Sequence, residues 1–311
     1  MILQGPVLGS ALGTLFTLST LVLSSHYKFN LPLASMQSGF MGFLGAVVYT
    51  VIARQGLGAR VFAPAATAGI MFVMLCTAHI LIRRVEAVEP LPRTKISQKA
   101  LTHPQGLFKI WKEQGTCLFV IGDMLIFFGL FVFPTYIAAI LSQPPALITP
   151  NLGALVLLTM YSTAAISACV SANGTFRKCL GPVDTFIAAS VFASAVSILP
   201  TWMPNLTAAL VCGGGYGISL GAVFAVHIKV CTVFHHEKKV WHPDMPVRVA
   251  IVMALCGGSA FAGLLTSAFI VENIQEGVKI VTCVAAGSLF FGGLAIAVAR
   301  WRRCSKCYVA I

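Results

Sequence analysis

Charge is what this chain has least of. Asp, Glu, Lys and Arg together make 10% of its 311 residues, against about 25% in a soluble domain. Acids are scarcest, nine in all beside 21 Lys and Arg. So few charges cannot wet the surface of a globule this size, which excludes a soluble enzyme. The ten cysteines fall in apolar stretches and basic links rather than in a secreted, disulfide-dense pattern. The net charge of +12 comes without the polar residues that a phosphate-tracking face needs, so nucleic acid is excluded as a partner. No Walker motif, dinucleotide-binding glycine loop or hydrolytic constellation is present, and neither a cofactor nor an enzymatic reaction is expected. What remains is apolar: 58% hydrophobic residues and a mean hydropathy of +0.89. The expected fold class is an all-α polytopic membrane protein, with the lipid bilayer as its first partner.

A spanning helix needs about 20 mostly apolar residues, because each backbone amide in hydrocarbon must bond within its own helix. Nine stretches qualify: 4–25, 33–53, 61–82, 117–141, 152–171, 185–203, 206–228, 249–271 and 280–299. The first lacks a basic leader and an A-x-A cleavage site, so it reads as a span rather than a signal peptide. The linkers are short except 83–116, which is polar and holds Pro90, Pro92 and Pro104. It divides the chain into a partial bundle of three helices at 1–82, a cytosolic loop at 83–116, a six-helix bundle at 117–303 and a cytosolic tail at 304–311. With that loop in the cytosol, Lys and Arg distribute 18 to 3, only Arg54, Arg60 and Lys279 lying outside. The positive-inside rule then places the N-terminus outside and the C-terminus in the cytosol.

Glycines four apart line one helix face and let a neighbouring backbone approach closely. Gly5, Gly9 and Gly13 in the first span match Gly213, Gly217 and Gly221 in the seventh. Each stripe is followed by a basic link and a second glycine-rich helix, with Gly39, Gly42 and Gly45 against Gly257, Gly258 and Gly263. Each trio ends in arginines, Arg83 and Arg84 against Arg300, Arg302 and Arg303. Helices one to three therefore read as a copy of helices seven to nine, and helices four to six have no counterpart ahead of them.

The run Phe128-Gly129-Leu130-Phe131-Val132-Phe133-Pro134 resembles the seventh helix of the major facilitator superfamily, in its monocarboxylate-porter-like branch of fungal type. Ala164 to Pro182 resembles that branch's eighth helix and the turn after it; 213–221 and Met245–Gly263 resemble its tenth and eleventh helices. The N-terminal trio is similar to helices four to six, so the resemblance implies a 3 + 6 fold that lacks the first three helices. It also implies two bundles rocking about a midplane site, and a proton-coupled or facilitated carrier of small organic metabolites, by efflux or monocarboxylate-like transport, in the plasma membrane. One departure bears on mechanism. The family's eighth helix carries an arginine four residues before a glycine; Gly174 matches the glycine and Val170 stands at the arginine's place, with Ile166 where animal members have an Asp. An anion site built on that arginine is not available in this chain. A transport-inactive relative acting as a membrane partner remains the alternative reading, and a membrane-embedded enzyme a more distant one.

Asp123 is the only Asp, Glu, Lys or Arg inside a span. An acid there is costly and is by default a functional residue, facing the bundle interior or a wet cavity. It also lies roughly 9 Å from the cytosolic edge by helix rise, within reach of headgroup water or the 83–116 loop. Tyr136, Tyr161, Gln37 and Ser38 are polar groups at mid-membrane depth that could bond a substrate or a neighbouring helix. Pro134 and Pro200 are positioned to bend their helices. The histidines all fall in cytosolic links or near cytosolic helix ends; His235, His236, His242 and Cys231 match no closed tetrahedral spacing, and Cys304-x-x-Cys307 has no second pair, so no metal is expected. Those two tail cysteines are candidates for palmitoylation beside Arg300–Arg303.

Overall fold

The structure, a computed structural model, describes residues 31–55, 62–85, 115–142, 150–173, 180–201, 205–234 and 245–303. The first expected span, with Gly5, Gly9 and Gly13, lies outside the described residues, as do 86–114 and the tail 304–311. Among the described residues every regular element is helical: α1 (Leu31–Gln55), α2 (Phe62–Val85), α3 (Thr116–Leu130), α4 (Val132–Ser142), α5 (Pro150–Ala172), α6 (Pro182–Ile198), α7 (Leu206–Phe234), α8 (Met245–Asn273) and α9 (Gly277–Arg303).

Among the described residues six helical segments are long and apolar enough to cross a bilayer: Met36–Arg54, Thr116–Ser142, Leu152–Ser171, Leu206–Phe234, Arg248–Asn273 and Gly277–Arg303. Two shorter apolar segments, Ala68–Ala78 and Pro182–Ile198, stand where the third and sixth spans were expected. The protein is an all-α, multi-pass membrane protein. The helices α7, α8 and α9 overrun the expected spans at one or both ends because polarity marks where hydrocarbon stops, not where backbone bonding stops. Phe72, Met74, Phe269, Phe291 and Trp301 are exposed, as apolar side chains are when lipid rather than water surrounds the helix.

Small residues set the packing. On α7, Gly213, Gly217 and Gly221 face Val156, Met160 and Ala164 of α5, the same spacing of four on both helices. A Cβ added at Gly217 would stand 2.1 Å from the Met160 carbonyl oxygen, and one at Gly221 2.0 Å from that of Ala164. Thr163 and Ser167 of α5 then donate to the Gly214 and Ile218 carbonyls at 3.0 and 2.6 Å. The α3–α9 pair closes on Gly122 against Gly292, and α8 meets α3 where Gly263 abuts the Phe128 carbonyl. The glycines of α1 and α8 that correspond in sequence are used differently. Gly263 is in tight backbone contact, whereas a Cβ at Gly42, Gly45, Gly257 or Gly258 would meet nothing within 4 Å. The six helical segments from α3/α4 to α9 share one core, with α1 against α5 and α7, and α2 against α1.

Pro134 explains the break between α3 and α4 at Phe131. Its nitrogen has no hydrogen to give the carbonyl four residues back, and that carbonyl belongs to Leu130. The fully buried Tyr216 of α7 donates its hydroxyl to Leu130 O at 2.7 Å and stacks on Phe133 at 4.4 Å between centroids. A carbonyl orphaned by proline on one helix is thus satisfied by a tyrosine on another, 86 residues away. Tyr216→Phe removes only the hydroxyl and should lower unfolding free energy by about 1–3 kcal/mol, the cost of a buried unsatisfied acceptor. Chemical or thermal unfolding in detergent measures it.

At one end of the bundle, Thr116 Oγ1 donates to Phe234 O at 3.2 Å, Phe119 stacks on Phe234 at 4.4 Å and Arg303 donates to the same Phe234 carbonyl. Arg300 pairs with Asp184 there at 2.6 Å. These contacts join α3, α6, α7 and α9 at that end and align them in depth.

Candidate functional site

Asp123 sits one residue beyond Gly122, the point at which α3 touches α9. With that face occupied, the next side chain turns toward α7 and α8. It is fully buried, 0% exposed. His227 Nε2 donates to its Oδ2 at 2.8 Å, and the Cys256 thiol donates to the same oxygen at 3.1 Å. His227 is 2% exposed and Cys256 1%. Asp123 Oδ1 is buried with no hydrogen-bond partner among the described residues. Three helices therefore bring one acid, one imidazole and one thiol to a point: every pair of their donor atoms lies within 4.8 Å.

Each side chain is held from behind. The His227 ring lies between Phe127, 4.7 Å away, and Phe186, stacked at 5.6 Å, and the Cys231 thiol one turn further along α7 bonds it. On α8, Cys256, Ser259 and Gly263 share one face, three and seven residues apart. Ser259 donates to Met124 O at 2.6 Å, and Gly263 admits the Phe128 backbone. These contacts set the depth of α8 against α3 and so present Cys256 to Asp123.

His227 also lines a cavity of about 310 Å³. One wall is a face of α1 made by Ser38, Gly39, Gly42, Phe43 and Ala46; the others come from Phe131 and Pro134 at the α3–α4 break, Tyr161 of α5, Phe224 of α7 and Met253 of α8. Phe224 meets Phe43, Phe127 and Phe131 edge-on at 5.7–6.1 Å. The space is mostly aromatic and aliphatic, with Ser38, Tyr161 and His227 as its polar groups and no Lys, Arg, Asp or Glu among its described lining residues.

The expected site residues divide accordingly. Tyr161 lines the cavity, and Asp123 stands directly behind it through His227. Gln37 is exposed on α1 beside the lining Ser38, and Tyr136 is half-buried against the core outside the cavity wall. Ile166 and Val170 are exposed, 63% and 51%, on a separate depression between α5, α6 and α7. The expectation that every histidine lies near a helix end needs correcting at His227, because α7 continues to Phe234 and buries it. Asp123 reaches neither headgroup water nor, among the described residues, a loop partner; His227 takes that place. The two residues match in depth. Asp123 follows Thr116 by seven residues and His227 precedes Phe234 by seven, roughly 10 Å by helix rise in each. Cys256, one cysteine among ten, carried no such mark.

The chain matches no protein-family model, and no curated protein is significantly similar to it.

Proposed function

We propose that this protein is a carrier of the major facilitator type, which moves a small organic metabolite through the plasma membrane by alternating access. The observation that carries the reading is the cavity between α1 and the six-helix bundle. It is roofed by a helix break at Pro134, and such breaks recur at binding sites of secondary carriers. On its α1 side it is bounded by Gly39 and Gly42, and a Cβ at Gly42 would meet nothing within 4 Å. Two glycine-lined units meeting on a cavity are the parts that rocking requires.

The wall chemistry narrows the solute. A carboxylate entering an apolar cavity without a cation beside it loses its hydration uncompensated. The reading therefore favours a neutral, largely apolar metabolite with one hydrogen-bonding end toward His227 and Tyr161, as in efflux of secondary metabolites, over a monocarboxylate anion. The positive-inside count supports an outside N-terminus and a cytosolic C-terminus.

Flux in proteoliposomes tests it, with a radiolabelled neutral phenol and radiolabelled lactate as probes. Uptake of the phenol above empty liposomes is expected, with little or no lactate uptake. A Cβ at Gly42 meets nothing within 4 Å, so Gly42→Leu should extend into the cavity it lines and abolish flux with normal yield and elution. Gly45→Leu, whose Cβ also meets nothing within 4 Å but which lies off the cavity wall, should retain it. Equal flux in both variants would remove the cavity from the mechanism, and no wild-type flux of either probe would favour a membrane partner without transport.

A further inference from the structure

We infer that Asp123, His227 and Cys256 form a binding site for one divalent cation of the zinc class. Four observations converge on it. The donors come from three helices and are all buried, so the site is pre-assembled by the fold rather than by a flexible loop. Their spacing is close to what the ion needs. Bonds of about 2.0–2.3 Å in a tetrahedral shell put donor atoms about 3.3–3.7 Å apart, and the hydrogen-bonded separations of 2.8 and 3.1 Å need open by only about half an ångström.

Charge is the third argument. Zn²⁺ with one carboxylate, one thiolate and one neutral imidazole sums to zero, the composition that an apolar interior tolerates best. Binding breaks the Cys256 S–H and His227 Nε2–H bonds and forms metal–sulfur and metal–nitrogen bonds; the thiol proton leaves to solvent, the ring proton shifts from Nε2 to Nδ1 so that the imidazole stays neutral, and the freed Nε2 lone pair takes the ion in place of its hydrogen bond to Asp123. No redox step is involved. The fourth is the orphaned Asp123 Oδ1. A buried carboxylate oxygen without a donor is unfavourable, and a cation bound to the carboxylate satisfies it. The mixed nitrogen, oxygen and sulfur set suits zinc over magnesium or calcium, which take oxygen ligands. Three protein ligands leave one position for water or a solute, and His227 on the cavity wall gives the ion its way in.

The site is independent of the transport reading, and its test needs no flux. The full chain is purified in detergent with a histidine-free tag and stripped with chelator. His235, His236 and His242 are changed to Gln and Cys304 and Cys307 to Ser, which silences the other donor clusters. Titration with Co²⁺ as the spectroscopic probe should give one ion per chain, four-coordinate visible bands and a thiolate-to-cobalt charge-transfer band, all displaced by Zn²⁺. Cys256→Ser should abolish the charge-transfer band, and Asp123→Asn and His227→Gln should each weaken binding at least about tenfold. X-ray absorption on the Zn²⁺-loaded background chain reads the same shell without touching a ligand: one sulfur near 2.3 Å and nitrogen or oxygen near 2.0 Å. Sub-stoichiometric binding, a charge-transfer band that survives Cys256→Ser, or a shell without sulfur would each overturn the site.

Discussion

Gly221→Ala is expected to be among the most damaging single-methyl changes in the protein. The new Cβ would stand 2.0 Å from the Ala164 carbonyl oxygen and 2.8 Å from its carbon. Both are backbone atoms in the middle of α5, so no rotamer change relieves the clash; α5 and α7 must move apart along their whole contact. Separation would also lengthen the Thr163–Gly214 and Ser167–Ile218 hydrogen bonds, which exist only because the backbones are this close. Overpacking a core costs about 1–3 kcal/mol, and this case belongs at or above the upper end because the obstacle is rigid. Gly257→Ala and Gly258→Ala are the matched controls. Each gains helix propensity, worth up to about 1 kcal/mol, and meets nothing within 4 Å, so each should be neutral or stabilising. Unfolding in mixed detergent micelles separates the two groups. Equal effects at Gly221 and Gly257 would mean that the close approach contributes little to stability.

The second large effect is expected at the buried pair. His227→Ala removes one of the two donors on Asp123 Oδ2 and leaves an acid whose other oxygen is already unpartnered. Breaking a buried pair from one side costs about 3–5 kcal/mol. Removing both partners is different, since two apolar groups in place of a satisfied polar pair can be nearly neutral. Asp123→Ala with His227→Ala should therefore be more stable than His227→Ala alone, apart from the cavity left by the ring. The stabilities of the wild type, both single variants and the double variant form a cycle, and a coupling energy near zero would rule out the interaction. Metal loading adds a third reading of the same residues: Zn²⁺ should raise the unfolding midpoint of the wild type and leave that of the double variant unchanged.

Much of the architecture was legible along the chain. Apolar runs located the helices from Met36 to Arg303 within a few residues, because hydrocarbon tolerates no unsatisfied amide and so demands long apolar stretches. Gly213, Gly217 and Gly221 stood out by their spacing, and Asp123 by being an acid where none is expected. The partners of those residues were not legible. In a soluble helix a polar face points outward and reveals which side packs. Here α5, α6 and α7 are apolar all round, because lipid and protein interior select the same side chains, and no pattern distinguishes the lipid face from the buried one. His227 shows the consequence: it was visible as a histidine near the end of an apolar run, but its burial depended on how far α7 continues and which way it turns.

Composition and hydropathy alone determined that this is a multi-pass, all-α membrane protein, since solvation energy depends on residue type and run length. Only the tertiary structure decided that Asp123 meets His227 and Cys256, 104 and 133 residues along the chain, and that Tyr216 caps the carbonyl Pro134 leaves free. Those contacts follow from the rotation and depth of each helix, which are set where glycine lets two backbones touch. That geometry belongs to pairs of helices, and no single apolar run encodes it.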